Sequence, residues 1–413
     1  MDTPESLNEM KSFLADLPKI SWRGHTDLHQ WKGFWVMPEV VKAVMAIEDQ
    51  FNPLPTDIIL SSFPKTGTTW LKALTVAILS HSSRRQNEVD DDPLLTHNPH
   101  ELVPFLEMEL FGNNPSRDID KIPSPRVFNT HLPYSLLPDS IKKSGCRIIY
   151  IARNPMDTFV SNWHFVNSRF GAAISIEEAF DEFCGGAIPS GPFFDHVLEY
   201  WVERWREVRF FITYEELKEV PKKQVKRLAE FLGFSLSLNE IEEIVLRCSY
   251  DRLSKLDVNK NGGKVYWSGF EFGSFFRRGV VGDWQNHLSA EMMERVDQIA
   301  HQKWEGSDLP RETMEEQWMT LGGNVSRHEV STTTRGRSKD YHAAMEARLL
   351  RVELGFQDGE ARFEELGTHL DGFEDRLDEL RGEMQGTLNE VMYTEQQKMS
   401  SLEARVMEML TLL

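Results

Sequence analysis

Residues Ile58-Ile59-Leu60-Ser61-Ser62-Phe63-Pro64-Lys65-Thr66-Gly67-Thr68-Thr69-Trp70 decide how this chain folds. A short apolar run ends in a Pro-Lys-Thr-Gly-Thr-Thr turn and continues into the helix-like Leu71-Lys72-Ala73-Leu74, which reads as strand, phosphate-binding loop and helix. Gly67 opens turn conformations closed to other residues and brings main-chain N–H groups close to an anion. Thr68 and Thr69 fall at the helix start, where unpaired N–H groups and the helix dipole favour phosphate and two hydroxyls add donors. Lys65 supplies a mobile positive charge. The loop predicts a bound nucleotide, but not the triphosphatase type, whose lysine follows its second glycine. Here the lysine precedes the glycine, which also disfavours a kinase. A Gly/Thr turn of this kind also occurs without a ligand, so the loop alone leaves that alternative open.

Composition narrows the partners. The 413-residue chain has room for two or three domains and, at 40% hydrophobic residues, for a sizeable core. A net charge of −19 speaks against nucleic acid or an anionic membrane as general partners, so an anionic ligand needs a local basic pocket. Three widely spaced cysteines, Cys146, Cys184 and Cys248, suggest neither a disulfide framework nor a zinc site. The N-terminus lacks signal-peptide character and no apolar run approaches the ~20 residues that span a bilayer, so the expectation is a soluble cytoplasmic protein.

Strand candidates at 57–62, 126–130, 147–152 and 210–213 alternate with helix candidates at 68–81, 155–170, 176–183, 194–208, 222–232 and 238–247. That order predicts a three-layer α/β fold, a mainly parallel central sheet covered by helices on both faces. Ligands of such folds bind beyond the carboxyl ends of the strands, where the 63–70 loop lies. Residues 1–309 form this domain and 310–344 read as a polar linker. Over 345–413 apolar residues recur at heptad spacing, Leu366, Leu370, Phe373, Leu377 and Leu380 among them, with a register shift after Met384. A coiled-coil-like extension, with self-association through its seam, is expected there. Its glycines, each costing about 1 kcal/mol in a helix, also fit partial disorder.

Five separated motifs carry a resemblance: FPKTGTTWLKAL at 63–74, THLPYSLLP at 130–138, YIARNPMDTFVSNWHF at 150–165, ITYEELK at 212–218 and FFRRGVVGDWQNHL at 275–288. In this order they resemble the cytosolic-type sulfotransferases of the plant soluble group over roughly residues 15–309. The resemblance implies sulfuryl transfer from 3′-phosphoadenosine 5′-phosphosulfate to a hydroxyl of a small, fairly apolar acceptor such as a flavonoid or steroid, without a metal. It implies a donor site of Lys65, Thr66, Gly67, Thr68 and Thr69 at the 5′ end, with Arg153, Ser161, Arg277, Arg278 and Gly279 at the 3′-phosphate. Trp70 and Tyr250 would hold the adenine, and Tyr214, Cys248 and Phe276 would add nucleotide contacts.

His131 follows a strand candidate and precedes Pro133, where a loop presents side chains, and an imidazole suits a general base at neutral pH. Among thirteen histidines only its THLP context, through the resemblance, lifts it above His97, His164 or His287. The resemblance makes Lys65 the stabiliser of the leaving oxygen. Asn129 stands where many animal members carry lysine, Arg278 replaces a frequent lysine, and Gln285, Ser289 and Ala290 depart from the family's dimer signature. The acceptor pocket is expected from the segments around Phe34 and Trp35, the 80–111 loop, Phe170 and residues 262–272. The alternative to an enzyme is an inert or regulatory domain that recruits partners through its C-terminal helix.

Overall fold

The computed structural model describes residues 4–87, 92–112, 119–168, 174–265, 268–307 and 309. The 310–344 linker, the 345–413 coiled-coil reading and Phe170 lie outside these residues. Three short strands come first: β1 (Lys19–Trp22), β2 (Thr26–Trp31) and β3 (Phe34–Val36), forming an antiparallel sheet in sequence order. Lys32 and Gly33, at φ 50° and 89°, link β2 to β3 so that Trp31 faces Phe34. Positive φ at both linking residues is the hairpin geometry whose twist matches that of the strands.

The central sheet is parallel in the order β5-β4-β6-β7, with β4 (Ile58–Ser62), β5 (Val127–Thr130), β6 (Arg147–Ala152) and β7 (Arg209–Thr213). Every residue of β4 is buried, as expected of a central strand covered on both faces. Alternation assigns the two faces. Ile59, Phe128, Ile148 and Tyr150 enter one core with the helices Pro38–Gln50, Phe193–Glu203 and Ala290–Trp304. Ile58, Leu60, Ile149, Ile151 and Ile212 enter the other with Thr68–Asn87, Pro221–Leu232 and Leu238–Arg247.

The three-layer expectation therefore holds, and the predicted strands fall within a residue of those observed. The antiparallel sheet and the helices Pro38–Gln50 and Ala290–Trp304 are additions that the sequence reading did not contain. Among the described residues no helix is long and apolar enough to cross a membrane. The topology brings the ends of β4, β5, β6 and β7 side by side, and with them Ser62, Thr130, Ala152 and Thr213. Each of these residues leads directly into a segment with a candidate site residue.

Candidate active site

The loop after β4 turns through two left-handed residues, Lys65 at φ 72° and Gly67 at φ 119°. Left-handed geometry is routine for glycine but strained for lysine, and such strain concentrates at functional sites. A Cβ on Gly67 would lie 2.8 Å from Ile151 Cδ1 and 3.0 Å from the Tyr214 ring, so the loop also needs glycine there for close packing. The Leu71 N–H donates to the Gly67 carbonyl at 3.0 Å and opens the helix, leaving the first N–H groups without an intrahelical partner.

The Thr66 side chain turns away from the cavity. Its hydroxyl donates to the Phe63 and Ile151 carbonyls at 2.8 and 2.9 Å, and its N–H also faces the Phe63 carbonyl. Those bonds turn it beneath the loop, fully buried, so it braces the turn instead of lining the cavity. Thr68 meets Ser62 Oγ at 2.7 Å and Thr69 meets His100 Nε2 at 3.0 Å, and both line the cavity.

Lys65 holds its ammonium 3.7 Å from the Phe165 ring centre and 5.5 Å from that of Phe275. Aromatic faces attract a cation but replace water poorly as its solvent. Burial, helped by the charges of Arg153 and Arg277, pushes the Lys65 pKa down to about 7.

His131 is oriented from both sides. Its backbone N–H donates to Glu107 Oε1 at 2.7 Å, and Nδ1 lies 2.7 Å from the Ser62 carbonyl. A carbonyl only accepts, so Nδ1 carries the proton and Nε2 keeps its lone pair. Beneath it, His196 Nε2 contacts the His131 carbonyl at 3.1 Å and Tyr150 Oη approaches His196 Nδ1 at 2.9 Å, fixing the opposite tautomer by the same logic. Burial, together with the charges of Lys72 and Lys65, pushes the His131 pKa down to about 3 against the pull of the Ser62 bond. The ring is therefore neutral at physiological pH, the form a general base requires.

Arg153, Ser161, Arg277, Arg278 and Gly279 come together along one cavity. Arg153 is buried, with Nη2 donating to the Val280 carbonyl at 2.9 Å and the guanidinium 4.5 Å over the Tyr214 ring. Arg277 and Arg278 both pair with the buried Asp283 carboxylate at 2.6 Å. The Nε atoms of Arg153 and Arg277 are buried without a hydrogen-bond partner. An anion between them would supply what buried guanidinium donors lack. Gly279, at φ 64°, lies so close to Tyr250 that a Cβ would fall 2.3 Å from the ring.

One cavity of about 1090 Å³ unites these residues. It is lined by Lys65, Gly67, Thr68, Thr69, Trp70, His131, Arg153, Ser161, Tyr214, Cys248, Tyr250, Phe276, Arg277, Arg278 and Gly279. Thr66 is the one expected site residue missing from that wall. Trp70 packs edge-on to Tyr214 at 5.4 Å, and burial pushes the Cys248 thiol up to about 12, leaving it a small neutral wall. The same wall carries apolar side chains, Trp22, Met37, Phe105, Met108, Phe270 and Phe275. Phe34 and Trp35 are not part of it. Phe34 is buried in the core, and the first sheet presents Trp22 and Thr26 instead.

Several contributors were not foreseen from sequence. Asp157 accepts from the Gly282 and Trp284 N–H groups at 2.7 and 3.1 Å and ties the late arginine loop to the helix Pro155–Asn167. His100, buried and in the wall, stacks on Phe275 at 4.1 Å and meets Lys72 Nζ at 3.2 Å through Nδ1. Its one sequence signal is Asn98-Pro99-His100-Glu101, whose capping box starts the short helix presenting it. Of the histidines weighed against His131, His97 is exposed and His164 lines the cavity.

Comparison with known proteins gives the family. The sulfotransferase domain pattern matches residues 55–308. The chain is 42% identical over 318 residues to cytosolic sulfotransferase 1 of Arabidopsis thaliana, covering 73% of this chain and 94% of that protein. It is also 42% identical to cytosolic sulfotransferase 5 of the same plant, covering 74% and 97%. Among solved structures, an Arabidopsis thaliana sulphotransferase with a provisional steroid assignment superposes with a TM-score of 0.59 at 34% identity, over 75% of this chain and 98% of that one. A mouse sulfotransferase complexed with PAP superposes with a TM-score of 0.58 at 26% identity, over 71% and 99%.

Proposed function

Because this chain belongs to the sulfotransferase family and is an enzyme of the class that uses 3′-phosphoadenosine 5′-phosphosulfate, we propose that it moves the sulfuryl group to a hydroxyl on a small, largely apolar acceptor, with His131 as general base and Lys65 stabilising the leaving oxygen. The observation that carries this reading is the tautomer of His131. With Nδ1–H held by the Ser62 carbonyl, Nε2 keeps its lone pair, and His131 lines the cavity that Lys65 also lines.

In the proposed reaction the acceptor oxygen forms a bond to sulfur as the bond from sulfur to the bridging phosphate oxygen breaks. The acceptor proton passes to His131 Nε2, and the leaving bisphosphate keeps the bridging electron pair. Lys65, as ammonium, donates to that oxygen where negative charge grows, so its contribution is largest in the transition state. Donor binding places anionic oxygens beside Lys65, offsetting one of the charges that depress His131. The two clusters, residues 65–69 without Thr66's side chain and Arg153 with Ser161 and 277–279, would hold the 5′ and 3′ ends of the nucleotide. The partnerless Nε atoms of Arg153 and Arg277 support the second of these.

The aromatic and methionine wall supports a hydrophobic acceptor of steroid or flavonoid size, as does the steroid assignment of the 34%-identical Arabidopsis structure. The relatives' names support a cytoplasmic location. The chain should release 3′,5′-bisphosphoadenosine when given donor and a panel of hydroxylated aromatics and sterols. Turnover that persists in both His131→Ala and Lys65→Ala would exclude the assigned roles.

A further inference from the structure

Behind the phosphate loop lies a line of polar contacts whose hydrogens can be assigned. Lys72 is fully buried, and its Nζ lies 2.9 Å from the Val103 carbonyl and 4.0 Å from the Phe105 ring centre. A carbonyl and an aromatic face both suit an ammonium. An ammonium only donates, so the third contact, 3.2 Å to His100 Nδ1, makes that nitrogen an acceptor. Burial and the charge of Lys72 hold His100 well below the ordinary histidine range, so it is neutral and its single proton sits on Nε2. That N–H points at Thr69 Oγ1, 3.0 Å away. With its oxygen already accepting, the Thr69 hydroxyl has its own hydrogen left for the cavity, which it lines at the start of the helix Thr68–Asn87.

We propose that Lys72 and His100 are positioning residues for the donor nucleotide, forming a Lys72-to-His100-to-Thr69 relay that directs the Thr69 hydroxyl hydrogen toward the 5′-phosphosulfate. The inference rests on the donor site proposed above and adds two residues that act on the nucleotide through Thr69. Without Lys72, His100 can carry its proton on Nδ1, and Nε2 then accepts from Thr69 and draws that hydrogen away from the anion. Stacking against Phe275 at 4.1 Å and Phe105 at 6.1 Å keeps the imidazole plane fixed, so the relay is aligned before the nucleotide arrives.

The test is a mutant cycle on the full chain, with 3′,5′-bisphosphoadenosine as the titrated ligand. Lys72→Met and Thr69→Val should each weaken binding by roughly tenfold, the worth of one hydrogen bond, and the double variant should be no weaker than Thr69→Val alone. His100→Phe keeps the stacked ring but not the relay and should lose affinity similarly. His100→Gln, which can accept from Lys72 and donate to Thr69, should stay within about threefold of the parent. The acceptor KM should stay constant while the donor KM rises, a split that general destabilisation would not produce. If Lys72→Met proves too unstable, His100→Phe with Thr69→Val closes the same cycle. Additive losses in the double variant, or parental affinity in His100→Phe, would overturn the relay and leave the sulfotransferase reading standing. A parent protein that does not bind the bisphosphate would overturn both.

Discussion

The depressed pKa of Lys65 makes donor binding a proton-linked event. In the free protein the ammonium titrates at about 7 because burial between Phe165 and Phe275, with Arg153 and Arg277 near, disfavours its charge. An anionic ligand reverses the balance and returns the bound-state pKa toward the ordinary lysine range. Binding then demands a protonated Lys65, whose population falls as pH rises through 7. Between pH 7 and 9 the dissociation constant should rise by up to about fiftyfold, roughly 2.3 kcal/mol, approaching tenfold per unit at the alkaline end. Phosphate monoesters are almost fully ionised over that window, so the ligand contributes little to the slope. Isothermal titration with 3′,5′-bisphosphoadenosine in buffers of different ionisation enthalpy should also show uptake of nearly one proton at the alkaline end. Glu215, pushed up to about 7 mainly by burial, titrates in the same range. Lys65→Arg separates the two, because guanidinium stays charged and should flatten the profile while Glu215 is untouched. Parental affinity that is constant from pH 7 to 9, or a slope that survives in Lys65→Arg, would refute the assignment.

Other expectations follow from the same geometry. His131→Ala should lower kcat by about 10²- to 10⁴-fold in steady-state assays while leaving bisphosphate affinity within a few-fold, as expected for a base that meets the acceptor and not the nucleotide. Gly279→Ala must move Tyr250, because its Cβ would sit 2.3 Å from the ring at a φ of 64°, so titration should show weakened or lost nucleotide binding. Trp70→Ala should cost on the order of 1–3 kcal/mol of bisphosphate affinity if the indole stacks on the base. Leu370→Asp with Leu377→Asp should lower the sedimenting mass of the full chain if the heptad seam self-associates, and an unchanged mass would remove that proposal.

How much of this was legible in the sequence varied with the range of the interactions involved. The β4 strand, the loop and the helix after it were readable because apolar run, Gly67 and helix start lie within a few residues of one another. The antiparallel sheet was not: β1 has four residues and β3 three, and Thr26-Asp27 and His29-Gln30 break the alternation of β2. Only the Lys32-Gly33 hairpin gave a local hint. The motifs placed Arg153, Arg277 and Arg278 at one site but could not reveal Asp157 and Asp283. Asp157 acts through contacts between the Pro155–Asn167 helix and the late loop, more than a hundred residues apart, and Asp283 through Arg277 and Arg278 of its own loop, a pairing that residue order alone does not single out. His100 was hidden for the same reason, its partners being Thr69, Lys72 and Phe275. Thr66 shows a different limit: a loop motif gives residue order without giving side-chain direction, and the Thr66 hydroxyl bonds the carbonyls of Phe63 and Ile151.

The most direct test of the account is single-turnover transfer from sulfur-labelled donor to a hydroxylated sterol or flavonoid, with the parent chain and His131→Ala loaded to equal donor occupancy. The account predicts label on the acceptor hydroxyl and stoichiometric 3′,5′-bisphosphoadenosine from the parent, with neither from the variant on the same timescale. Equal transfer by the variant, or an occupied parent that transfers nothing to any hydroxylated acceptor in the panel, would contradict it.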